Sequence, residues 1–192
     1  MNNVIGAAMS QIEIVDYRPV WAEEFKSIAA ALKQALGDLA VAIDHIGSTS
    51  VPGLAAKDVI DIQVSVKALD DQKIVNALSE SGYRYRADIT RDNLIGYDEG
   101  DLNMQKMYFR EPQGQRKIHI HIREIGRVNQ AYALLFRDFL RDNPVVSKAY
   151  EKIKRELALR FPNDESAYYA IKDPYMDTIF SVACMNKQVN QV

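Results

Sequence analysis

The sequence lacks most of the features that mark secreted, membrane-spanning or nucleic-acid-binding proteins. It contains a single cysteine, Cys184, so no disulfide can form within the chain and a reducing compartment is expected. No apolar run approaches the length of a membrane span, and residues 1–10 lack the basic and apolar regions of a secretion signal. The net charge of −2 provides no global basic field for nucleic acid or an anionic membrane. These absences predict a cytoplasmic protein without a membrane partner, whose residues 1–10 are disordered.

The composition is that of an ordinary globular protein. Of the 192 residues, 47% are apolar and 26% are charged, which suits one large domain or two small ones. The chain shows no internal repeat and no low-complexity tract. Its patterning predicts an α+β fold: a mixed-sheet region at residues 11–125, then a helical region at residues 126–192 that packs on it as one compact unit.

Hydrophobic spacing predicts the individual elements. Alternation of apolar and polar residues predicts strands at 11–15, about 40–46, 60–66, 83–86, 104–110 and 117–123. Apolar residues spaced by three or four predict helices at 19–37, about 71–81, 129–141 and 145–160. A third helical segment of the C-terminal region starts at 163–165, and Pro174 is expected to interrupt it. The polar stretch 87–103 predicts a surface loop that can cover a site.

The stretch from residue 42 to residue 66 carries the strongest chemical signal. A predicted strand ends at Gly47-Ser48, where small residues let backbone N–H groups approach an anion. The next strand alternates, so Asp61 lies on the face opposite to its isoleucines and valines. A carboxylate beside this turn suits a phosphate and its divalent cation, with the Thr49 hydroxyl as a further contact. The alternative is a tight strand exit whose hydroxyls cap the next turn.

Two histidines share one face of the last predicted strand. His119 and His121 are two residues apart, so their Cα atoms lie roughly 6.5–7 Å apart at a rise of about 3.3 Å per residue. This spacing suits two ligands of one metal ion, or two contacts to one phosphate. Imidazole is a softer ligand than magnesium prefers, so zinc, manganese and no metal stay open beside magnesium. The structural alternative is a hydrogen-bonded polar sheet face that the helical region covers.

Several sequence blocks together carry a family resemblance. The central blocks are His-Ile-Gly-Ser-Thr at 45–49, Val-Pro-Gly-Leu-Ala-Ala-Lys at 51–57 and Ile-Asp at 60–61. Further blocks are Tyr17-Arg18-Pro19-Val20-Trp21, His119-Ile120-His121, Phe136-Arg137-Asp138-Phe139-Leu140-Arg141 and Tyr169-Ala170-Ile171-Lys172. Over about residues 11 to 186 the chain resembles the GrpB-like family, a bacterial family largely without assigned activity.

This resemblance implies the nucleotidyltransferase-like fold of kanamycin nucleotidyltransferase and DNA polymerase beta. The signature of that superfamily begins with a hydrophobic residue, then Gly, then either Gly or Ser. After a gap it continues with two acids that are separated by one residue. Ile46-Gly47-Ser48 and Asp61 match it, which makes Asp61 the candidate catalytic and metal-binding acid. Gln63 stands where the second acid is expected, which weighs against metal-dependent nucleotidyl transfer. The resemblance also places His119 and His121 where a third acid sits, so both can join Asp61 around one ion while Gln63 donates a hydrogen bond.

The roles of the other polar residues are less specific. Lys57 either neutralises a phosphate or extends to solvent, and Lys172 reaches a ligand from the helical side or has no ligand role. Asp58 is expected to be a solvated loop residue or a cap. Arg137 and Asp138 are expected to form ion pairs that join the helical region to the sheet.

Three functions are compatible with these residues. The first is binding of a nucleotide or a phosphorylated small molecule, with or without a divalent metal, and the absence of a second acid favours it. The second is metal-dependent nucleotidyl transfer to a small acceptor. The third is hydrolysis with one metal ion held by His119, His121 and Asp61. Family members fused to dephospho-CoA kinase suggest a nucleotide or CoA context, although this chain has no kinase P-loop.

Overall fold

The computed structural model describes residues 11–69 and 71–189, and five strands and five α-helices lie within them. The strands are β1 (Ala42–Ile46), β2 (Ile60–Val66), β3 (Arg84–Tyr85), β4 (Met107–Arg110) and β5 (Ile118–Glu124). The helices are α1 (Val20–Leu36), α2 (Asp71–Glu80), α3 (Val128–Asp142), α4 (Pro144–Arg160) and α5 (Glu165–Val189). The disorder predicted for residues 1–10 lies outside the described residues.

The five strands form one mixed sheet in the order β1-β2-β5-β4-β3. Strands β2 and β5 run parallel at its centre, and the other neighbouring strands run antiparallel. In this register Asp61 lies opposite His119, and Gln63 lies opposite His121. The predicted α+β fold is confirmed, and the sheet brings the candidate residues of two distant segments side by side.

Helices α1 and α2 cover one face of the sheet. Pro19 precedes α1, where its missing N–H costs no helical hydrogen bond, and Trp21 is fully buried two residues later. The alternating apolar residues of the central strands pack against these helices: Ile60, Ile62, Val64, Ile118, Ile120 and Ile122. Because these side chains occupy one face, the polar residues between them are directed to the other.

Helices α3, α4 and α5 cover the opposite, polar face. Helix α3 contacts β1, β2 and β5 directly. An apolar cluster joins the helices to the loop between β1 and β2: Val51, Leu54, Phe136, Leu140, Tyr150 and Ile179. A cavity therefore lies between the polar sheet face and the helices. Within the described ranges, no helix combines the length and the apolarity needed to cross a bilayer.

Two predicted elements are wrong. Residues 11–15 form only a single bridge, between Val15 and Ala56, because the Ile12 amide donates to the Pro162 carbonyl at 2.7 Å instead of to a strand. Helix α5 runs through Pro174 without interruption. Pro174 has no N–H to donate to the carbonyl of Ala170, its usual partner in a helix. Both residues are exposed, so water can hydrogen-bond to that carbonyl instead.

Asp58, expected from sequence to be a solvated loop residue or a cap, instead joins three segments of the chain through its carboxylate. Its carboxylate accepts hydrogen bonds from Trp21 Nε1 at 2.8 Å, Arg18 Nη1 at 3.0 Å and Arg116 Nη2 at 2.5 Å. Arg116 also donates to the Asp58 carbonyl and to the Glu24 carboxylate. One short side chain thus ties α1 to both central strands at the end where β2 begins.

Replacing Asp58 with alanine is expected to lower the free energy of unfolding by about 2–3 kcal/mol, because the buried Trp21 N–H and two guanidinium groups lose their acceptor. The corresponding fall in Tm is about 4–12 °C. Urea unfolding followed by circular dichroism measures this loss.

Asp88→Ala is the matched control, because that carboxylate pairs only with the nearby exposed Arg86 in the described structure. We expect a change below about 0.5 kcal/mol for the control. Burial alone would raise the pKa of Asp58, but the hydrogen bonds from Trp21 and Arg116 outweigh it and lower that pKa. The contribution of Asp58 to the free energy of unfolding is therefore present at neutral pH and is lost as the pH falls through the lowered pKa. Equal losses in the two variants would contradict the role of Asp58 in joining these segments.

Candidate functional site

A cavity of about 470 Å³ separates the polar face of the sheet from the helices. Its floor is formed by the ends of β1 and β2 and by β5, and its walls are formed by the loop between β3 and β4 and by α3, α4 and α5. Six basic and four acidic side chains line it: Lys57, Arg91, Lys106, Arg123, Lys154 and Lys172, and Asp61, Asp92, Asp173 and Asp177. The excess of cations favours an anionic ligand.

Asp61, His119 and His121 meet on the cavity floor. The Nδ1 atom of His119 lies 3.0 Å from Oδ1 of Asp61. One ligand atom from each of the three residues lies within 4.8 Å of the other two. The parallel pairing of β2 and β5 creates this cluster, because it sets Asp61 beside His119 with His121 two residues further along the same face.

The turn after β1 brings backbone against the Asp61 carboxylate. Gly47 has φ +67°, and a Cβ at this position would lie 2.9 Å from both Cβ and Cγ of Asp61. Glycine is therefore required for both its conformation and its lack of a side chain. Ser48, Thr49 and Ser50 form a 3₁₀ turn after it, closed by the Ser50 hydroxyl, which donates to the Gly47 carbonyl at 2.6 Å.

The hydroxyls of this turn are largely used within the protein. Thr49 Oγ1 lies 3.0 Å from Nε2 of His45, and Thr49 is 2% exposed. Burial lowers the pKa of His45 to about 4, so its imidazole is neutral at physiological pH. Ser48 hydrogen-bonds to Tyr150, and the structure places Gly47, Ser48 and Thr49 on the cavity lining. Backbone groups and not hydroxyls are thus the better candidates for ligand contact at this turn.

Helix α3 holds the turn in place through two arginines. Arg137 donates to the His45 carbonyl at 3.1 Å and pairs with Asp44 and Asp138. Arg141 donates to the Ser50 carbonyl at 2.8 Å. The predicted ion pair between helix and sheet is formed by Arg137 with Asp44, whereas Asp138 pairs with Arg137 and Arg141 within α3. Together with the bonds of Arg137 and Arg141 to backbone carbonyls, this pair fixes the turn that approaches Asp61.

Two lysines considered as possible ligand contacts meet at helix α5, Lys57 from the loop between β1 and β2 and Lys172 from α5 itself. Lys57 Nζ is 3.0 Å from the Tyr169 hydroxyl and 3.4 Å from Glu165, and it lies 4.6 Å from the centre of the Tyr169 ring. Burial lowers the pKa of Lys57, although Glu165 opposes that change. Lys172 pairs with Asp173 at 2.7 Å and lies 5.2 Å from the same ring. Both lysines line the cavity, so the structure brings them together around Tyr169.

A third lysine, Lys154, lies on the same wall and was not predicted. It is 2% exposed, its amine donates to the Ala55 carbonyl, and its Nζ lies 4.7 Å from the centre of the Tyr150 ring. Among the described residues, no carboxylate forms an ion pair with it. Burial, followed by repulsion from Lys172, lowers the pKa of Lys154 to about 7. A buried amine without a carboxylate partner thus faces the cavity.

A buried ionic network closes the far end of the cavity. Asp92, from the loop between β3 and β4, accepts from Arg123 at 2.8 Å, Lys106 at 2.6 Å and Asn129 at 3.0 Å. Burial opposes ionisation of Asp92, but Arg123 and Lys106 outweigh it and hold its pKa well below the usual range. The loop predicted to cover a site therefore lines this cavity, anchored by Asp92.

Gln63 lies in this network and outside the cavity lining. It is fully buried, its Oε1 accepts from Arg123 Nη1 at 2.7 Å, and its Nε2 donates to the Gln130 carbonyl at 3.1 Å. A carboxylate at this position would face the Gln130 carbonyl without a hydrogen to donate. The amide is thus suited to joining β2 to α3, and its predicted contact with a ligand stays a prediction.

Sequence reasoning missed several polar residues of the cavity lining, among them Lys154, Asp92 and Asn129. For Lys154 a signal existed: Tyr150, Lys154 and Leu157 are spaced by four and three residues, and all three are buried. A lysine within an apolar helical stripe indicates a cation that faces inward. Asp92 lies in an irregular polar loop, and no pattern distinguished it from its neighbours.

Comparison with known proteins identifies the family and the fold. The family model described as GrpB protein matches residues 11–181. The crystal structure of conserved protein GrpB from Enterococcus faecalis has a TM-score of 0.75 and 30% identity, covering 92% of this chain and 99% of that one. Cid1 poly(U) polymerase, solved with magnesium and 3'-dATP, has a TM-score of 0.50 and 10% identity over 77% of this chain and 44% of that one. At this identity, the second likeness concerns the fold alone.

Two curated relatives are considerably longer than the matched region. UPF0157 protein YqkA of Bacillus subtilis is 33% identical over 169 residues, which is 88% of this chain and 46% of YqkA. A dephospho-CoA kinase of Mycolicibacterium paratuberculosis is 35% identical over 182 residues, which is 88% of this chain and 45% of the kinase. The chain thus spans less than half the length of these two relatives.

Proposed function

This chain belongs to the GrpB family, and we propose that it binds a nucleotide or another phosphorylated small molecule in the cavity between its sheet and its helices. The observation that carries the proposal is Lys154, a buried amine without a carboxylate partner among the described residues. Burial without a carboxylate disfavours the ammonium form of this lysine, and an anion supplied from outside would stabilise that form, so its presence on a cavity wall points to an anionic ligand.

The other lysines extend this anionic subsite. Lys57, Lys154 and Lys172 come from the β1–β2 loop, α4 and α5, and each contacts a tyrosine ring of the same wall. Three cations from three elements can contact separate oxygens of one polyphosphate chain. The fold likeness to a polymerase solved with 3'-dATP supports a nucleotide as the phosphorylated ligand.

The Asp61 cluster fits one divalent cation. A carboxylate oxygen and two imidazole nitrogens suit zinc or manganese better than magnesium. Burial, Lys106 and Arg123 lower the pKa of His121, which keeps its imidazole neutral as a metal ligand must be. A bound cation would neutralise phosphate oxygens.

The same surroundings disfavour a metal ion that arrives alone. Lys106 Nζ and Arg123 Nη2 lie 3.4 Å and 3.3 Å from Nδ1 of His121, so two cations already approach the cluster. A phosphate group beside the cluster offsets this repulsion. We therefore expect metal and phosphorylated ligand to bind cooperatively.

Catalysis is the second candidate, and one observation favours it. The carboxylate of Asp61 lies 3.0 Å from His119 Nδ1, an arrangement that orients the imidazole so that Nε2 can accept a proton. Such a pair can activate an acceptor hydroxyl for nucleotidyl transfer or a water molecule for hydrolysis. Gln63 in place of a second acid leaves simple binding as the better-supported function.

Asp61→Asn is expected to remove the cooperative effect of metal and ligand. In the wild type, tripolyphosphate or ATP with Mn²⁺ or Zn²⁺, at about one hundred times the dissociation constant, should stabilise by about 2.7 kcal/mol and raise Tm by about 5–11 °C. In the variant, the metal should add nothing to the shift produced by the phosphate compound alone, because the charged carboxylate that would hold the metal together with His119 and His121 is lost. Differential scanning fluorimetry measures all combinations.

Asp98→Asn is the control, since it removes one negative charge from an exposed loop residue that is not among the cavity-lining side chains. It should keep the wild-type response. If neither tripolyphosphate nor ATP shifts the wild type with any of the metals, the proposed function is wrong.

A further inference from the structure

Asn129 is the first residue after the start of α3 and lies at the far end of the cavity. It is 2% exposed and is among the side chains that line the cavity. Its Nδ2 donates to the Asp92 carboxylate at 3.0 Å and to the Gln105 carbonyl at 2.9 Å. The loop between β3 and β4 and helix α3 are thus joined by this amide.

These two contacts fix the orientation of the Asn129 amide. Both partners are acceptors, so the NH₂ group must face them and the oxygen must face away. In the part of the chain that the structure describes, Oδ1 of Asn129 has no hydrogen-bond partner, and it is the one buried side-chain nitrogen or oxygen there of which this is true. A buried acceptor without a donor destabilises the folded state, so its presence in a cavity suggests that a bound ligand supplies the missing donor.

The position of Asn129 relative to the lysines follows from β5. Strand β5 passes along the cavity floor from His119, beside Asp61, through His121 to Arg123. Lys57 and Lys154 interact electrostatically with Asp61, at the His119 end. Asn129 contacts Asp92, which Arg123 binds, at the other end. A ligand whose phosphates contact the lysines can therefore extend its remaining part along β5 toward Asn129.

We propose that Asn129 is a specificity residue that accepts a hydrogen bond from an amino group on the part of the ligand remote from the phosphates. The inference rests on the proposed function, since it names the chemistry of the rest of that ligand. An amide oxygen accepts but cannot donate, so an amino group satisfies it and a carbonyl oxygen in the same place repels it. The cavity thus selects aminated bases over their keto counterparts.

The test compares ligands that differ at one group. ATP against ITP, and CTP against UTP, each exchange a ring amino group for a carbonyl oxygen, while tripolyphosphate lacks a base. Isothermal titration calorimetry with Mn²⁺ present should show about ten- to hundredfold tighter wild-type binding of the amino member in at least one pair. Asn129→Ala should reduce that preference to within about threefold and leave the affinity for tripolyphosphate unchanged.

Asn93→Ala is the matched variant, because Asn93 is an exposed asparagine that lines the same cavity. It should keep the preference. Equal binding of both members of both pairs by the wild type would overturn the inference and leave phosphate binding intact. A preference that persists in Asn129→Ala would overturn it as well. Absence of binding by every compound, tripolyphosphate included, would overturn the proposed function itself. If Asn129→Ala does not fold, the wild-type ratios alone decide.

Discussion

At pH 8 the wild-type protein is expected to take up a substantial fraction of one proton when it binds tripolyphosphate, and Lys154→Arg is expected to take up none at this site. The difference arises from the amine of Lys154, whose pKa is lowered to about 7 by burial and then by Lys172. Glu151 and Asp61 oppose this shift, and Arg155 adds to it. An arginine at the same position stays protonated at every accessible pH.

The sign of the effect follows from the charge of the ligand. Above pH 7 most of the free protein carries a neutral Lys154, whereas a bound polyphosphate favours the ammonium form and raises its pKa. Binding therefore requires a proton, and affinity should fall by up to about tenfold per pH unit above pH 7. Below pH 7 this dependence should vanish. Without ligand, the contribution of this group to stability rises as the pH increases from about 7 toward 10.5, because the unfolded lysine keeps its proton over that range.

The proton is counted by calorimetry at one pH in two buffers that differ in their heat of ionisation. The slope of the observed heat against buffer heat gives the number of protons taken up. Ionisation of tripolyphosphate itself contributes equally to wild type and variant, so the difference between them isolates Lys154. Lys148→Arg, on the same helix with a side chain 72% exposed, should behave as the wild type. Equal proton uptake by all three proteins would show that Lys154 does not titrate with binding.

Gly47→Ala is expected to lower the free energy of unfolding by about 3 kcal/mol and to abolish metal-dependent ligand binding. The added methyl group must displace the Asp61 carboxylate, since its ideal position lies 2.9 Å from Cβ and Cγ of that residue. Arg137 and Arg141 hold the turn from the helical side, so the backbone cannot simply retreat. Displacement of Asp61 also breaks its contact with His119. Thermal unfolding should show a fall in Tm of about 6–12 °C.

Gly53→Ala separates the two causes. Gly53 has φ +79°, so alanine there suffers similar backbone strain, but no atom lies within 4 Å of the position of its Cβ. We expect a loss of about 1 kcal/mol and normal ligand binding for this variant. If Gly47→Ala and Gly53→Ala lose equal stability and both still bind the ligand in a metal-dependent manner, the close approach of Gly47 to Asp61 is not needed for binding.

Much of the sheet could be predicted because apolar and polar residues alternate along its central strands. The alternation of β2 and β5 correctly directs Asp61, His119 and His121 to the polar face, since each strand has one apolar and one polar side. The distance from Asp61 to the two histidines could not be predicted from this alternation. It depends on the parallel register of β2 with β5, which is set by the packing of the whole sheet.

The helical wall was less predictable because buried polar groups break the local rules. Lys154 reads as a surface lysine unless its position in the apolar stripe of α4 is noticed. Asn129 gains its significance from Asp92 and Gln105, which lie far away in the chain. Pro174 is the opposite case. The rule that proline interrupts a helix predicts a break there, but α5 continues because that part of the helix is exposed to solvent.

The central pairing of β2 with β5 also has a kinetic consequence. These strands are separated in the chain by α2, β3, the covering loop and β4, so the contact between Asp61 and His119 is a long-range one that carries a high loop-closure entropy. The cavity floor does not exist until the last strand of the chain has inserted between two earlier ones. A chain in which β5 has not yet inserted therefore lacks the pairing that sets Asp61 beside His119.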